Sequence, residues 1–155
     1  MHGLANKKLL ACPLCNSPLE FFEGALACCG ARRHNFDLAK SGYVNLNTHA
    51  SSSGDDKEMA KARQAFLRKG YYKPLADAIA GEALGGALLC DAGCGEGYYT
   101  EIAAKNFDCA LGVDLSKYAV DLAAKSANSA AWQTSFFMQR QVCTAFRLQT
   151  SLAMR

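Results

Sequence analysis

Gly86-Ala87-Leu88-Leu89-Cys90-Asp91-Ala92-Gly93-Cys94-Gly95-Glu96-Gly97-Tyr98-Tyr99-Thr100 is the stretch whose reading sets the fold. A short apolar run ends in an acid and breaks into a glycine-rich turn. An amphipathic helix then starts, with Tyr99, Ile102 and Ala103 on one side. Downstream, Cys109-Ala110-Leu111-Gly112-Val113-Asp114 reads as a second buried strand ending in an acid. Leu115-Ser116-Lys117 opens another helix, with Ala119, Val120, Ala123 and Ala124 on its apolar face. Strand, helix, strand, helix with unbroken apolar strands is the pattern of a parallel α/β sheet.

Such a turn has a chemical use. Glycines let the backbone come close to a ligand, and a carboxylate at the end of the next strand can accept hydrogen bonds from ribose hydroxyls. This makes Asp91, Gly93, Gly95, Gly97 and Asp114 candidate cofactor residues. The nicotinamide fingerprint G-x-G-x-x-G is not met, because Tyr98 stands where its third glycine belongs and Asp91 lies two residues ahead of the first. A P-loop is excluded, since no Gly-Lys-Ser/Thr follows the turn. The bland alternative, a merely structural turn, is weakened by Asp114 at the right distance.

Further upstream, the eight cysteines are unevenly spread. Cys12, Cys15, Cys28 and Cys29 fall close together, with His34 just beyond. The spacing is C-x2-C-x12-C-x5-H through Cys28, or C-x13-C-x4-H from Cys15 through Cys29. Zinc takes four soft or borderline ligands in a tetrahedron, and a C-x2-C knuckle supplies two of them. Buried apolar cysteines are the competing account. It is disfavoured because a second half follows at zinc-finger distance and the segment is too short to hold a core without a staple. Structural zinc is expected, with Cys28 preferred to Cys29. Phe21-Phe22 and Ala25-Leu26-Ala27 read as hairpin strands around a Glu23-Gly24 bend.

Between these two signals, Asn35 to Leu46 carries aromatic and apolar residues expected to pack under the metal site. Arg32, Arg33 and Lys40 make it locally basic, which is weak ground for RNA contact. Residues 47–55 read as a polar linker in which His49 is exposed. A helix is expected from Asp56 to Arg68, with Met59, Ala62, Ala65 and Phe66 on its apolar face and Gly70 as its stop. A second should run from about Pro74 to Ala83, with Leu75, Ala78 and Ile79 facing inward.

Composition agrees with a globular α/β chain: 155 residues, 50% hydrophobic, 20% charged, net charge +3. No window reaches the roughly 18 apolar residues of a membrane span. Lys7-Lys8 ahead of Cys12 resembles a leader, but the apolar stretch between is far shorter than the about 7–15 residues of a signal peptide. A cytoplasmic protein is expected, where disulfides are rare.

Taken together, CPLC at Cys12 to Cys15, the run RRHNFDLAKSGYVNL, the polar linker and DAGCGEGYYT resemble the bacterial large-subunit ribosomal RNA (guanine-N1)-methyltransferases. The likeness covers about residues 9 to 125. It implies a Rossmann-like class I methyltransferase sheet, incomplete here, preceded by a small zinc-binding β module. It also implies S-adenosyl-L-methionine and Zn2+ as cofactors, ribosomal RNA as partner without a membrane, and a homodimer among full-length members. By the same likeness the zinc ligands are Cys12, Cys15, Cys28 and His34, and the zinc module helps grip RNA. Gly97, Tyr98 and Tyr72 match cofactor contacts, and Asp114 holds the ribose. No catalytic residue is named.

The expected division is a zinc-binding module at 9–46, a linker at 47–55, the first part of a methyltransferase domain at 56–126 and an atypical tail at 127–155. A β-α-β unit takes roughly 30 residues, so the stretch after Ala87 has room for two or three strands. The tail departs from the rest: all fourteen acids lie at or before Asp121 and all thirteen glycines at or before Gly112. Trp132, Phe136, Phe137 and Phe146 show no periodic pattern. A helical cap or a shifted reading frame from about residues 126 to 132 would account for this. These 155 residues alone are expected not to methylate RNA. The alternative function is a non-catalytic zinc- and nucleotide-binding module that contacts RNA or a protein partner.

Overall fold

The computed structural model describes residues 10–48 and 55–129, together with the backbone of 135–139. Lys7-Lys8, residue 9 of the first module, His49 and most of the linker, and Trp132 and Phe146 of the tail lie outside the described residues.

The chain first forms an antiparallel ribbon of β1 (Leu19–Phe22), β2 (Ala25–Cys28) and β3 (Asn35–Asp37), in that order. The β1–β2 bend is the one expected: Glu23 and Gly24 both have positive φ, 46° and 85°, as a two-residue turn that continues the strand twist requires. β4 (Val44–Asn45) leaves the ribbon and enters a second, parallel sheet. That sheet has the order β4-β7-β6-β5, with β5 at Leu89–Ala92, β6 at Ala110–Asp114 and β7 at Ser135–Gln139. Three of its strands come from the stretch after Ala87, the upper end of the number expected. β7 takes Phe136 and Phe137 as a strand, where a helical cap was one of the two accounts of the tail.

Among the described residues there are four α-helices: α1 (Lys57–Leu67), α2 (Lys73–Glu82), α3 (Tyr98–Ala103) and α4 (Lys117–Ser129), the last of which packs on β6 and β7. Asp56 caps α1, its carboxylate accepting from the N–H groups of Glu58 and Met59 at 2.9 and 2.8 Å. Among the described residues no helix is long and apolar enough to cross a membrane.

The ribbon and the parallel sheet share a core. Cys12, Leu19, Leu26 and Cys28 pack in one cluster with Val44, Leu46, Leu111 and Val113, and Phe36 and Leu38 lean against it. The residues after Asn35 therefore lie under the cysteine cluster as expected. A second cluster joins Tyr43 and Cys94 to Val120, Ala123, Ala124 and Ala127 of α4, the face read from the sequence. Polar ties cross the same junction: Ser41 donates to Asp121 at 2.6 Å, and Asn128 donates to the Ser41 carbonyl at 2.9 Å.

Three expectations about burial need correction. On α1 the buried residues are Ala60 and Leu67, while Met59 and Phe66 are exposed and Ala62 and Ala65 likewise face outward. The helix turns its other stripe to α4, where Gln64 and Arg68 both donate to Ser126. On α2 only Ala76 is buried, and Leu75, Ala78 and Ile79 are exposed. Finally β5 is only half buried, with Cys90 and Ala92 open, whereas β6 is buried along its first four residues. β5 is an edge strand with one neighbour among the described residues; β6 has one on each side.

Candidate functional site

The cysteine cluster is built from two tight turns. In the first, Asn16 donates to the Cys12 carbonyl and Cys12 to the Ser17 carbonyl, both at 2.8 Å. Asn16 takes a positive φ of 58° to close the knuckle. The second turn follows β2, where Gly30 donates its N–H to the Cys28 sulfur at 3.2 Å and Cys28 donates to the His34 carbonyl at 2.8 Å. Space is tight between the turns: a Cβ on Gly30 would lie 2.6 Å from the Ser17 hydroxyl and 3.3 Å from the Cys15 sulfur.

These turns bring together Cys12, Cys15, Cys28 and His34, whose ligating atoms all lie within 4.8 Å of one another. Cys12 Sγ is 3.4 Å from His34 Nδ1, and Cys15 Sγ is 3.2 Å from Cys28 Sγ. The edges of a zinc tetrahedron with three thiolates and an imidazole are about 3.5–3.8 Å, so the donor set fits that ion. Ser17, through its hydroxyl and then its backbone N–H, pulls the exposed Cys15 thiol down to about 6, with Cys28 assisting. Burial pushes Cys12 the other way. Cys29 is exposed and outside the cluster.

The glycine-rich turn leaves β5 at Ala92 and enters α3 at Tyr98. Gly93, Gly95 and Gly97 have φ of 93°, 55° and 83°, values that side chains with a Cβ seldom adopt. The turn is pinned to the end of β6, with Gly93 and Cys94 donating to the Val113 carbonyl at 2.7 and 3.1 Å. Asp114 binds it further, accepting from Gly95 N at 2.9 Å and from Ser116 N at 2.7 Å. A carboxylate has about four acceptor sites, so half-exposed Asp114 keeps room for two hydroxyls. Asp91 accepts from the buried Thr100 hydroxyl at 2.5 Å, which braces the turn against α3. Among the described residues, its chain neighbours aside, no atom lies within 4 Å of where a Cβ on Gly93 would be. A backbone cradle beside a carboxylate suits a nucleoside ligand.

Tyr72 ends the α1–α2 connection, 42% exposed, with its ring centroid 5.9 Å from that of Phe66. Tyr98 stacks edge-on against Tyr99 and, with Lys73 and Arg68, lines a cavity of about 370 Å³. The expected cofactor residues thus lie on the turn, at the end of β6 and at the start of α2.

Three residues were missed. Glu96, 5% exposed, sits inside the glycine turn and accepts from Arg63 Nε at 2.6 Å, while Arg63 also pairs with Asp55. Burial would lower the Arg63 pKa, but Glu96 and Asp55 outweigh it and hold the guanidinium firmly charged. A buried acid in the turn demands a cation, and that was the available signal. Burial, with the carboxylates of Asp91 and Asp114 beside it, pushes the Cys94 thiol well above its ordinary range.

A zinc-ribbon family model described as RlmA, N-terminal, matches residues 10–47, and a methyltransferase-domain model matches residues 90–150. A 23S rRNA (guanine(748)-N(1))-methyltransferase of Streptomyces fradiae is 37% identical over 77% of this chain and 45% of its own length. A Bacillus subtilis protein, provisionally named a 23S rRNA (guanine-N(1)-)-methyltransferase, is 34% identical over 80% of this chain and 48% of its own length. Among solved structures, an S-adenosylmethionine-dependent methyltransferase of Clostridium acetobutylicum covers 56% of this chain and 35% of its own. Its TM-score is 0.42 and its identity 23%, a likeness too loose to add to the argument. The chain spans about half the length of the curated relatives it matches. With a zinc ribbon matched in front and a methyltransferase domain matched behind, the chain is similar over 77–80% of its residues to proteins named as 23S rRNA (guanine-N1)-methyltransferases.

Proposed function

We propose that this chain carries the zinc-binding and cofactor-binding parts of an S-adenosylmethionine-dependent methyltransferase acting on N1 of a guanine in large-subunit ribosomal RNA. The observation that carries the reading is a core in which Cys12 and Cys28 of a Cys3His cluster pack with Leu111 and Val113 of β6, the strand whose last residue, Asp114, closes the glycine turn. Residues 9–46 form the zinc-binding module, 47–55 a linker, 56–126 the first part of the methyltransferase domain and 127–155 a tail. Cys12, Cys15, Cys28 and His34 hold a structural zinc, since four protein ligands leave no open position for catalysis. Asp114 accepts from the ribose hydroxyls, and Gly93, Gly95 and Gly97 let the backbone approach the ligand. Asp91 braces the turn, and Tyr72 and Tyr98 contact the cofactor.

When bound, S-adenosylmethionine supplies a sulfonium methyl for in-line transfer to the ring nitrogen. The residues of this chain contribute by positioning, the main source of rate in such a reaction. The target guanine must be unpaired, because its reacting edge is the Watson–Crick edge, which favours a loop nucleotide swung out of its stack. Its N1 proton must pass to an acceptor. Ribosomal RNA is the partner, with a second copy of the chain in the full-length assembly, and the cytoplasm is where that RNA is met.

Calorimetry on the zinc-loaded chain tests the cofactor. S-adenosylhomocysteine is expected to bind more tightly than NAD, and Asp114→Ala to weaken it by about 1–3 kcal/mol through lost charged hydrogen bonds. Equal or tighter NAD binding would overturn the assignment.

A further inference from the structure

Arg63 reaches the glycine turn from α1, outside every motif in the sequence. Its Nε is held by Glu96 at 2.6 Å and its Nη1 by Asp55. Its Nη2 has no hydrogen-bond partner among the described residues and lies 3.3 Å from where a Cβ on Gly95 would be. The side chain is 41% exposed although Glu96 is buried. The guanidinium is therefore held by two carboxylates, at Nε and at Nη1, and the glycine at position 95 lets Nη2 come close to the turn.

We propose that Arg63 binds the α-carboxylate of the cofactor's amino-acid end through Nη2. This rests on the reading of the turn as an S-adenosylmethionine site. The residues present fit that group: two N–H donors already oriented, at the turn whose opposite side carries Asp114 for the ribose. Orientation by Glu96 and Asp55 removes much of the side-chain entropy that binding would otherwise cost. With Nε and Nη1 engaged, Nη2 presents its N–H groups in the fixed guanidinium plane, a direction that a rotating ammonium does not hold.

A mere clamp on Glu96 would affect every ligand of the turn alike, and this separates the two roles. The experiment is calorimetry on the full chain with S-adenosylhomocysteine and with 5′-methylthioadenosine, which keeps the adenosine and lacks the amino-acid end. Arg63→Lys retains a cation for Glu96 but loses Nη2. It is expected to weaken S-adenosylhomocysteine at least about tenfold and to leave methylthioadenosine unchanged. The double variant R63M/E96Q removes the buried charge together with its partner and is expected to show the same discrimination. It covers the case in which Arg63→Lys disturbs folding. Equal loss for both ligands, or none for either, overturns the role of Arg63. A wild-type chain that binds neither ligand overturns the cofactor reading itself, and Arg63's role with it.

Discussion

Cys28 lies in the cluster and its neighbour Cys29 outside it, and strand geometry divides them. β2 ends at Cys28, and along it Leu26 and Cys28 share one face, both in the core beneath the cluster. One residue on, Cys29 is exposed. Metal analysis of protein purified without chelator is expected to find about one zinc per chain. Cys28→Ser should lose it and Cys29→Ser should keep it; equal retention would overturn the ligand assignment. Spacing alone left this choice open, although the period of two along β2 already favoured Cys28. The Arg63–Glu96 pair was not legible in this way. Glu96 could be marked as an acid in a tight turn, but its partner lies 33 positions away on another element, and no local pattern names it.

At the scale of elements, α4 was legible and α1 was not, for one physical reason. The buried face of α4 is a continuous run of small residues, Ala119, Val120, Ala123, Ala124 and Ala127, the only stripe that helix offers. α1 offers two stripes of helical period, Met59 with Ala62 and Phe66, or Ala60 with Gln64 and Leu67. Larger residues favour the first from sequence, yet the second packs on α4, because small Ala60 permits close approach and Gln64 finds Ser126. The start of α1 was read correctly, since Asp56 has the chemistry of a cap. Asp56→Ala removes the acceptor for two N–H groups and is expected to lower unfolding stability by about 1 kcal/mol. Asp56→Ser should recover most of it. Urea unfolding at fixed zinc checks both, and an unchanged midpoint for Asp56→Ala would show that the bonds are not made in solution.

At the scale of the whole molecule, the zinc ribbon is fused to the parallel sheet, whereas the sequence read as two bodies on a polar string. Nothing local announces that Val44 pairs beside β7, or that Leu19 and Leu111 share a cluster; such contacts join segments far apart in the chain. The polar seam of this junction gives a pH-dependent handle. Burial would raise the Asp121 pKa, but hydrogen bonds from Lys125 and from the Ser41 hydroxyl outweigh it and hold the carboxylate below its ordinary value. A depressed folded value means that the seam's contribution is present above the ordinary carboxylate pKa and is lost as pH falls through the depressed one. Ser41→Ala removes one of the two donors, so the Asp121 titration followed by carboxyl NMR should move upward, toward the unperturbed value. The same variant is expected to cost about 1 kcal/mol near neutral pH, with a smaller cost in acid once the carboxyl of both proteins is protonated. Because Ser41 lies in the ribbon's trailing loop and Asp121 on α4, an upward shift would place these two elements in contact in solution. A titration unmoved by Ser41→Ala would show the seam open and leave the shared apolar core alone to join the ribbon to the sheet.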